Sequence, residues 1–170
     1  QLGNIAFNAP TSMNLNESTV IKLLLAVKTP IEELKQLVEE KGEKVGAKIK
    51  VSSRMEARLS GSNFVIVAMT PEIQAVSLSE ATEWIWEIEP KKAGNHRLHL
   101  SLSVIFTVDG MATSKTMRTY DKFIDIDVTW IQLIWDFLGK SWEWITAVTL
   151  APVAGWLWVL FGSKVPRKKP

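Results

Sequence analysis

The sequence predicts a mainly β chain: an antiparallel β-sandwich with one inserted helix, followed by an amphipathic interfacial helix and a single C-terminal transmembrane helix. Three observations predict it. Several segments alternate apolar and polar residues with period two, the mark of half-buried strands. One segment, residues 29–42, carries helix punctuation at both ends. Residues 145–161, ITAVTLAPVAGWLWVLF, run for 17 residues without a charge, bracketed by two Trp-x-Trp pairs.

Residues 18–28, STVIKLLLAVK, read as a strand with Ile21, Leu23, Leu25 and Val27 inward. TPIEELKQLVEEKG then reads as the inserted helix. Thr29 is the expected N-cap, Pro30 the first helical position, Glu32 the partner that closes a capping box, and Gly42 the stop. Further strands are expected over residues 47–52, 55–59 and 64–69. In TEWIWEIEP, Trp84, Trp86 and Ile88 share one face and Glu83, Glu87 and Glu89 the other. Period two puts both indoles on the same side, so this Trp-x-Trp pair belongs to the core. Residues 90–95, with Gly94, turn the chain into the next strand.

That strand is the clearest of all. Leu98, Leu100, Leu102, Val104, Phe106 and Val108 alternate with Arg97, His99, Ser101, Ser103, Ile105 and Thr107. Asp109-Gly110 supplies the residues of a tight hairpin turn. A return strand is expected over residues 113–120, and DKFIDIDV alternates again with Ile124, Ile126 and Val128 on one face. About seven strands joined by short turns suggest a sandwich occupying residues 1–127.

Residues 128–140, VTWIQLIWDFLGK, change character. On a helix Thr129, Gln132 and Asp136 fall within about 60° of one another, and apolar residues, Trp130 and Trp135 among them, take the remaining circumference. Such an arc is too wide for a simple surface helix. The segment reads as a helix lying in a membrane interface, with a bend at Gly139; a helix docked under the β-domain is the alternative.

Residues 141–162 read as the membrane span. Counted back to Trp142, the run is 20 residues long, about 30 Å of helix, which matches a bilayer core. Residues two apart on a helix point about 200° apart. Trp142 and Trp144 therefore stand on opposite sides, as do Trp156 and Trp158. That fits a soluble amphipathic helix badly and a membrane helix well, because indoles anchor at headgroup level whichever way they point. Pro152 is tolerated inside a membrane span, and Gly155 marks a kink or a close helix contact. The alternative is a buried C-terminal helix of a larger assembly. Residues 163–170 form a basic tail containing Lys164, Arg167, Lys168 and Lys169. The expected membrane-interface residues are thus Trp130, Trp135, Trp142, Trp144, Trp156, Trp158, Arg167, Lys168 and Lys169.

The formal charge of +2 hides an asymmetry: the tail holds four bases and no acid, leaving 16 bases and 18 acids in the rest. A mildly acidic body offers no basic stripe for a phosphate backbone, which argues against nucleic-acid binding. Cysteine is absent, which removes disulfides, thiolate metal sites and cysteine nucleophiles. The chain begins at Gln1 rather than Met, read as leader removal or as a piece of a longer protein. The basic excess after the span predicts a cytoplasmic tail and a β-domain outside the membrane; a tail-anchored form with a cytoplasmic domain is the alternative.

Chemistry is scarce. His96 and His99, three apart on a strand, face opposite ways and form no ligand pair. Asp121, Asp125 and Asp127 share a strand face beside Lys122. They read as a charged membrane-proximal face, with a hard-cation site as the weaker alternative because no tight ligand loop accompanies them. Asn16-Glu17-Ser18 matches a glycosylation triplet. No phosphate loop, nucleophile elbow or zinc-protease motif occurs. The sequence therefore predicts no catalytic residue, no metal ligand and no cofactor.

The order Met-x-Ala-x-Leu at Met55, Pro-Glu-x-Gln at Pro71, Thr-x-Trp-x-Trp-x-x-x-Pro from Thr82 to Pro90, then Gly94 and a Leu-alternating strand, resembles a sparsely characterised bacterial β-sandwich domain. In that family a Trp-rich anchor follows at the C-terminus, and some members are associated with defence or signalling modules. The resemblance implies a bacterial envelope or inner-membrane protein and carries over no catalytic residue. Two function classes follow: a membrane-anchored interaction or sensor module, with a protein partner or self-association, and an oligomerising membrane effector that perturbs the bilayer.

Overall fold

Alternation sorts side chains to opposite faces of a strand, so two sheets can close on each other with their apolar rows inward. The computed structural model, which describes residues 1–107 and 114–129, is built in this way. Its elements run in order β1 (Leu2–Ala9), β2 (Ser12–Asn14), β3 (Thr19–Ala26), α1 (Ile31–Leu37), β4 (Glu43–Lys50), β5 (Arg54–Ser60), β6 (Phe64–Ala68), β7 (Ile73–Ala75), β8 (Thr82–Pro90), β9 (Gly94–Thr107) and β10 (Ser114–Thr129).

Two five-stranded sheets result. The first has the order β4-β1-β3-β8-β6 and the second β2-β10-β9-β5-β7. Neighbours pair antiparallel, except that β2 lies parallel to the end of β10, Met13 opposite Val128. The sandwich is therefore not purely antiparallel: β2 is a short return laid against the far edge.

The core forms between the sheets. Ile5 and Phe7 of β1, Ile21, Leu23 and Leu25 of β3, and Trp84, Trp86 and Ile88 of β8 face Met55, Ala57 and Leu59 of β5, Leu98, Leu100, Leu102 and Val104 of β9, and Ile124, Ile126 and Val128 of β10. As far as they are described, the predicted inward rows are those rows, with Val27 packed at the margin; the side chains of Phe106 and Val108 lie outside the described residues. Ile105, expected on the wet face, is buried as well. Trp84 is fully buried, yet its indole N–H donates to the Glu72 carbonyl at 2.9 Å, so the one polar atom of the ring is satisfied.

A second, smaller cluster lies on the outer face of the first sheet. Leu34 of α1 and Val38 pack on Ala6, Leu24 and Ala26. Gly46 of β4 makes this possible, because a Cβ there would run into Ile31. The helix departs from its predicted punctuation. It begins one residue later than expected, with Pro30 in extended conformation at the N-cap and no side-chain cap bond. The capping box of Thr29 and Glu32 does not form, because the N-cap is Pro30, which has neither a side-chain acceptor nor an N–H; the Thr29 carbonyl accepts from Asn4 Nδ2 of β1 at 2.8 Å. The helix stops at Leu37, since Val38 turns extended to reach the outer cluster. Gly42, at φ +120°, serves the turn into β4 rather than the helix end.

β1, β2 and β7 were not foreseen, and β4 starts earlier than the expected 47–52. The two segments expected after the hairpin are one strand, β10, irregular between Arg118 and Tyr120 where the register shifts against β9. Val128 and Thr129 belong to that strand, because pairing to Met13 and Asn14 holds them extended; the helix expected over 128–140 does not include them. The β-domain accordingly runs past residue 127, within a compact unit Gln1–Trp130. The Asp109-Gly110 turn, the remainder of the interfacial helix, the span over 141–162 and the tail over 163–170 lie outside the described residues. Among the described residues no helix is long and apolar enough to cross a membrane.

Candidate interaction face

A sheet edge carries unpaired backbone groups, and folded proteins normally blunt it with charge, shortness or a cover. Three of the four edges here are blunted. β4 carries Lys44, Lys48 and Lys50 and lies under α1 at Gly46. β2 and β7 are three residues each, and the lengths of β10 and β5 that they leave unpaired carry charge, Arg118, Asp121, Lys122 and Asp125 on one and Arg58 on the other. The fourth edge, β6, has the sequence FVIVA, with neither charge nor proline.

The pairing of β6 with β8 fixes which of its backbone groups are open. Lys91 N–H donates to the Asn63 carbonyl at 2.8 Å and Met69 N–H to the Ile85 carbonyl at 2.8 Å, which makes the odd positions the hydrogen-bonded ones. In the continuous register Val65 and Val67 then bond to Glu89 and Glu87. Ile66 and Ala68 turn their N–H and C=O groups to the open edge. Pro90 sits opposite Phe64, at a position that requires no N–H toward β6.

The side chains beside this edge are unusual for a wet surface. Val65 is 45% exposed, Val67 49% and Met69 62%. Glu87 and Glu89 of β8 lie next to the two valines, and with Asn16 and Ser18 these residues line an open recess of about 260 Å³. Among the described residues the carboxylate of neither glutamate makes a hydrogen bond or an ion pair. Glu83, two periods of the pleat from Glu87 on the same face, differs. Lys22 bridges it at 3.3 Å and Glu40 at 3.1 Å. Burial pulls the Lys22 ammonium down, but its bonds to Glu40 and Glu83 outweigh this and raise it above the ordinary lysine value.

Two of the three aspartates of the predicted charged face on β10 are paired. Arg97 Nε donates to Asp125 Oδ1 at 2.8 Å, Arg118 Nη1 to Asp121 Oδ2 at 2.7 Å, and His99 Nε2 pairs with Asp121 Oδ1. Phe123 lies between them, stacked on His99 at 4.7 Å and under Arg97 at 5.2 Å. The bond from His99, reinforced by Arg118 and opposed by a little burial, holds the Asp121 carboxyl below its ordinary value. Asp121 and Asp125 therefore meet cationic side chains rather than one another. Among the described residues no group of three His, Asp or Glu side chains is placed to hold a metal ion. His96 lies apart, bonded to the Lys92 carbonyl and to Asn63.

A larger open cleft, about 510 Å³, lies at the end of the sandwich where β2, β3 and the turn at Gly42 meet. Its groups bond one another. Asn14 Nδ2 donates to Glu17 at 2.7 Å and Thr129 Oγ1 to Asn14 Oδ1 at 3.0 Å. Behind it the fully buried Asn8 donates to the Val20 and Lys41 carbonyls and accepts from Lys22 N–H. This is a polar lock joining three segments. Glu17 of the glycosylation triplet lines the cleft, and Asn16 beside it takes φ 64°.

The predicted membrane-interface residues, Trp130, Trp135, Trp142, Trp144, Trp156, Trp158, Arg167, Lys168 and Lys169, all lie outside the described residues. The motif residues behind the family resemblance fall on framework. Met55, Ala57, Leu59, Trp84 and Trp86 are core, Gln74 donates to the Pro71 and Glu83 carbonyls, and Gly94 turns at φ +115°.

No protein-family model matches the chain. No curated protein matches it. Among solved structures, domains 4 and 5 of the S-layer protein SbsC align with 74% of this chain at 10% identity and a TM-score of 0.39. The chain spans 44% of the length of that fragment. A cohesin module from the family 33 glycoside hydrolase of Clostridium perfringens ATCC13124 aligns with 75% of this chain and 98% of its own, at 9% identity and a TM-score of 0.32. Likeness at this level carries nothing about function.

Proposed function

We propose that the β-sandwich is an interaction module, held at a bilayer by residues 130–170 of the same chain, which engages a protein partner through the outer face of its first sheet at β6. The open apolar edge beside Val65 and Val67 carries the reading. An exposed hydrophobic strip next to unpaired strand groups invites another chain, and the other three edges are blunted against that event. Membrane attachment rests on the charge-free run and its indole pairs. The bacterial envelope setting rests on the resemblance of residues 50–103 to anchored bacterial domains.

The test replaces Val65 and Val67 with lysine in the full chain, in its native membrane. Both side chains are about half exposed, so the domain should stay folded. The complex containing the chain, sized on native gels after mild extraction, should become smaller. Lys48→Glu on the opposite edge should leave it intact. An unchanged complex in the double variant would remove β6 as the docking edge. The rival class, an oligomer that perturbs the bilayer, predicts instead dye leakage from vesicles that contain the purified chain alone.

A further inference from the structure

The proposed docking edge has a chemistry of its own, and we infer that its occupant is an extended protein segment that alternates apolar and cationic residues. It would add to β6 as a strand and set a lysine or arginine over Val65 and Val67 against Glu87 and Glu89. This inference rests on the docking reading and goes beyond it by naming the class of partner.

Three observations carry it. The first is the backbone of β6. Ile66 and Ala68 present N–H and C=O groups to the open edge, in the pattern an incoming strand uses. The second is charge. Glu87 and Glu89 have no cationic partner among the described residues, whereas Glu83 is bridged by Lys22, and Asp121 and Asp125 of β10 by Arg97, Arg118 and His99. The third is shape. The recess of about 260 Å³ has valines on one wall, Asn16 and Ser18 on the other, and both carboxylates in its lining. Lysine and arginine match such a site, because their stems cover apolar surface while the charged head stays at the polar end.

Distance selects among cations. An added strand would lie two strand spacings from β8, about 9–10 Å. Only a long side chain crosses that gap, so lysine and arginine reach Glu87 and Glu89 and shorter residues do not. Strand alternation then requires apolar residues between the cations, where the added strand turns toward the core side beside Ile66. A second copy of β6 would bring valine to valine and leave all four glutamates of the pair unmatched, which is why the heterotypic occupant is favoured.

The experiment uses the full chain in lipid nanodiscs and fluorescent, end-blocked seven-residue peptides. One alternates valine and lysine, a second alternates valine and glutamate, and a third is the valine–lysine peptide with alternate amides N-methylated. The first should bind with an affinity that falls as salt rises, and the other two should bind at least tenfold more weakly. Glu87→Gln with Glu89→Gln should weaken the first peptide at least tenfold while leaving the melting temperature in place. Equal binding of the N-methylated peptide would overturn strand addition, and equal binding to the double Gln variant would overturn the role of the glutamates. No binding of any peptide, with the native complex still lost on lysine substitution of Val65 and Val67, would sink the cationic occupant and leave the docking edge standing. A concentration-dependent dimer dissociated by Val67→Lys, with no peptide bound, would place a second copy there and overturn the inference.

Discussion

At the scale of single residues, burial and partnership decide what matters. Trp86 is 1% exposed and faces the centre of the core. Its truncation removes the largest kind of side chain from a site that cannot collapse around the loss. Trp86→Ala should therefore lower the unfolding free energy of residues 1–129 by about 3–5 kcal/mol. Urea denaturation checks it, and a loss below about 1 kcal/mol would mean the indole is not core. Asp121 makes a subtler prediction. Its carboxyl is held below the ordinary value of 3.8 by His99 and Arg118. As pH falls the unfolded chain takes the proton first, so the contribution is present above pH 3.8 and fades as pH drops through the lower native value. Wild type and Asp121→Asn should accordingly differ in denaturation midpoint near pH 5 and converge in strong acid. A gap that persists at pH 2 would show that the pair is not its source. The sequence places Asp121, Asp125 and Asp127 on one face correctly, but Arg97 and His99, which pair with Asp125 and Asp121, come from β9 through a register that alternation alone does not fix.

At the scale of elements, legibility follows the contrast of the pattern. β8 and β9 were legible because large apolar residues alternate with polar ones over eight or more positions, and β3 because its run of branched and leucine side chains is bounded by turn residues, although Leu24 and Ala26 of its outward row lie under α1. β1 was not, though it is an interior strand of its sheet. Its outward row contains Ala6, which lies under α1, so the strand is covered on both faces and the alternation Ile5, Phe7, Ala9 is diluted by Asn4, Ala6 and Asn8. β2 and β7 are too short to show a period. The helix was legible by its punctuation, but its ends were set by tertiary partners, Asn4 on the Thr29 carbonyl and the pull of Val38 to the sheet. The β6 strand itself was legible. Its standing as an edge was not, because strand order is a property of the whole sheet. The helix also yields a test. Gly46→Val sets a side chain where Ile31 lies, and overpacking of this kind costs about 1–3 kcal/mol. Amide exchange over Ile31–Leu37 should accelerate while β8 and β9 stay protected, since the core between the sheets is separate from the outer cluster. Unchanged exchange in the helix would mean that Gly46 is not the seat on which it rests.

At the scale of the molecule, the proposal joins a folded module to an anchor, and orientation decides which partners the module can meet. Cytoplasmic flanks of membrane spans are enriched in lysine and arginine, counted within about 15–20 residues of the ends. After residue 161 come Lys164, Arg167, Lys168 and Lys169; before residue 142 the near flank offers Lys140, with Asp136 close by. The excess lies on the C-terminal side, so the tail is expected in the cytoplasm and the β-sandwich outside. A cationic partner strand would then belong to the envelope rather than to the cytosol. Protease added to intact spheroplasts should remove the sandwich, and the opened membrane should be needed before the tail is cut. Reversing the flanks, with Lys164, Arg167, Lys168 and Lys169 changed to serine and lysines placed before residue 142, should increase the protected fraction of the sandwich. A sandwich that resists protease until the membrane is broken would put the module on the cytoplasmic side. The search for the β6 partner would then move to cytoplasmic proteins, with the docking chemistry of Glu87 and Glu89 unchanged.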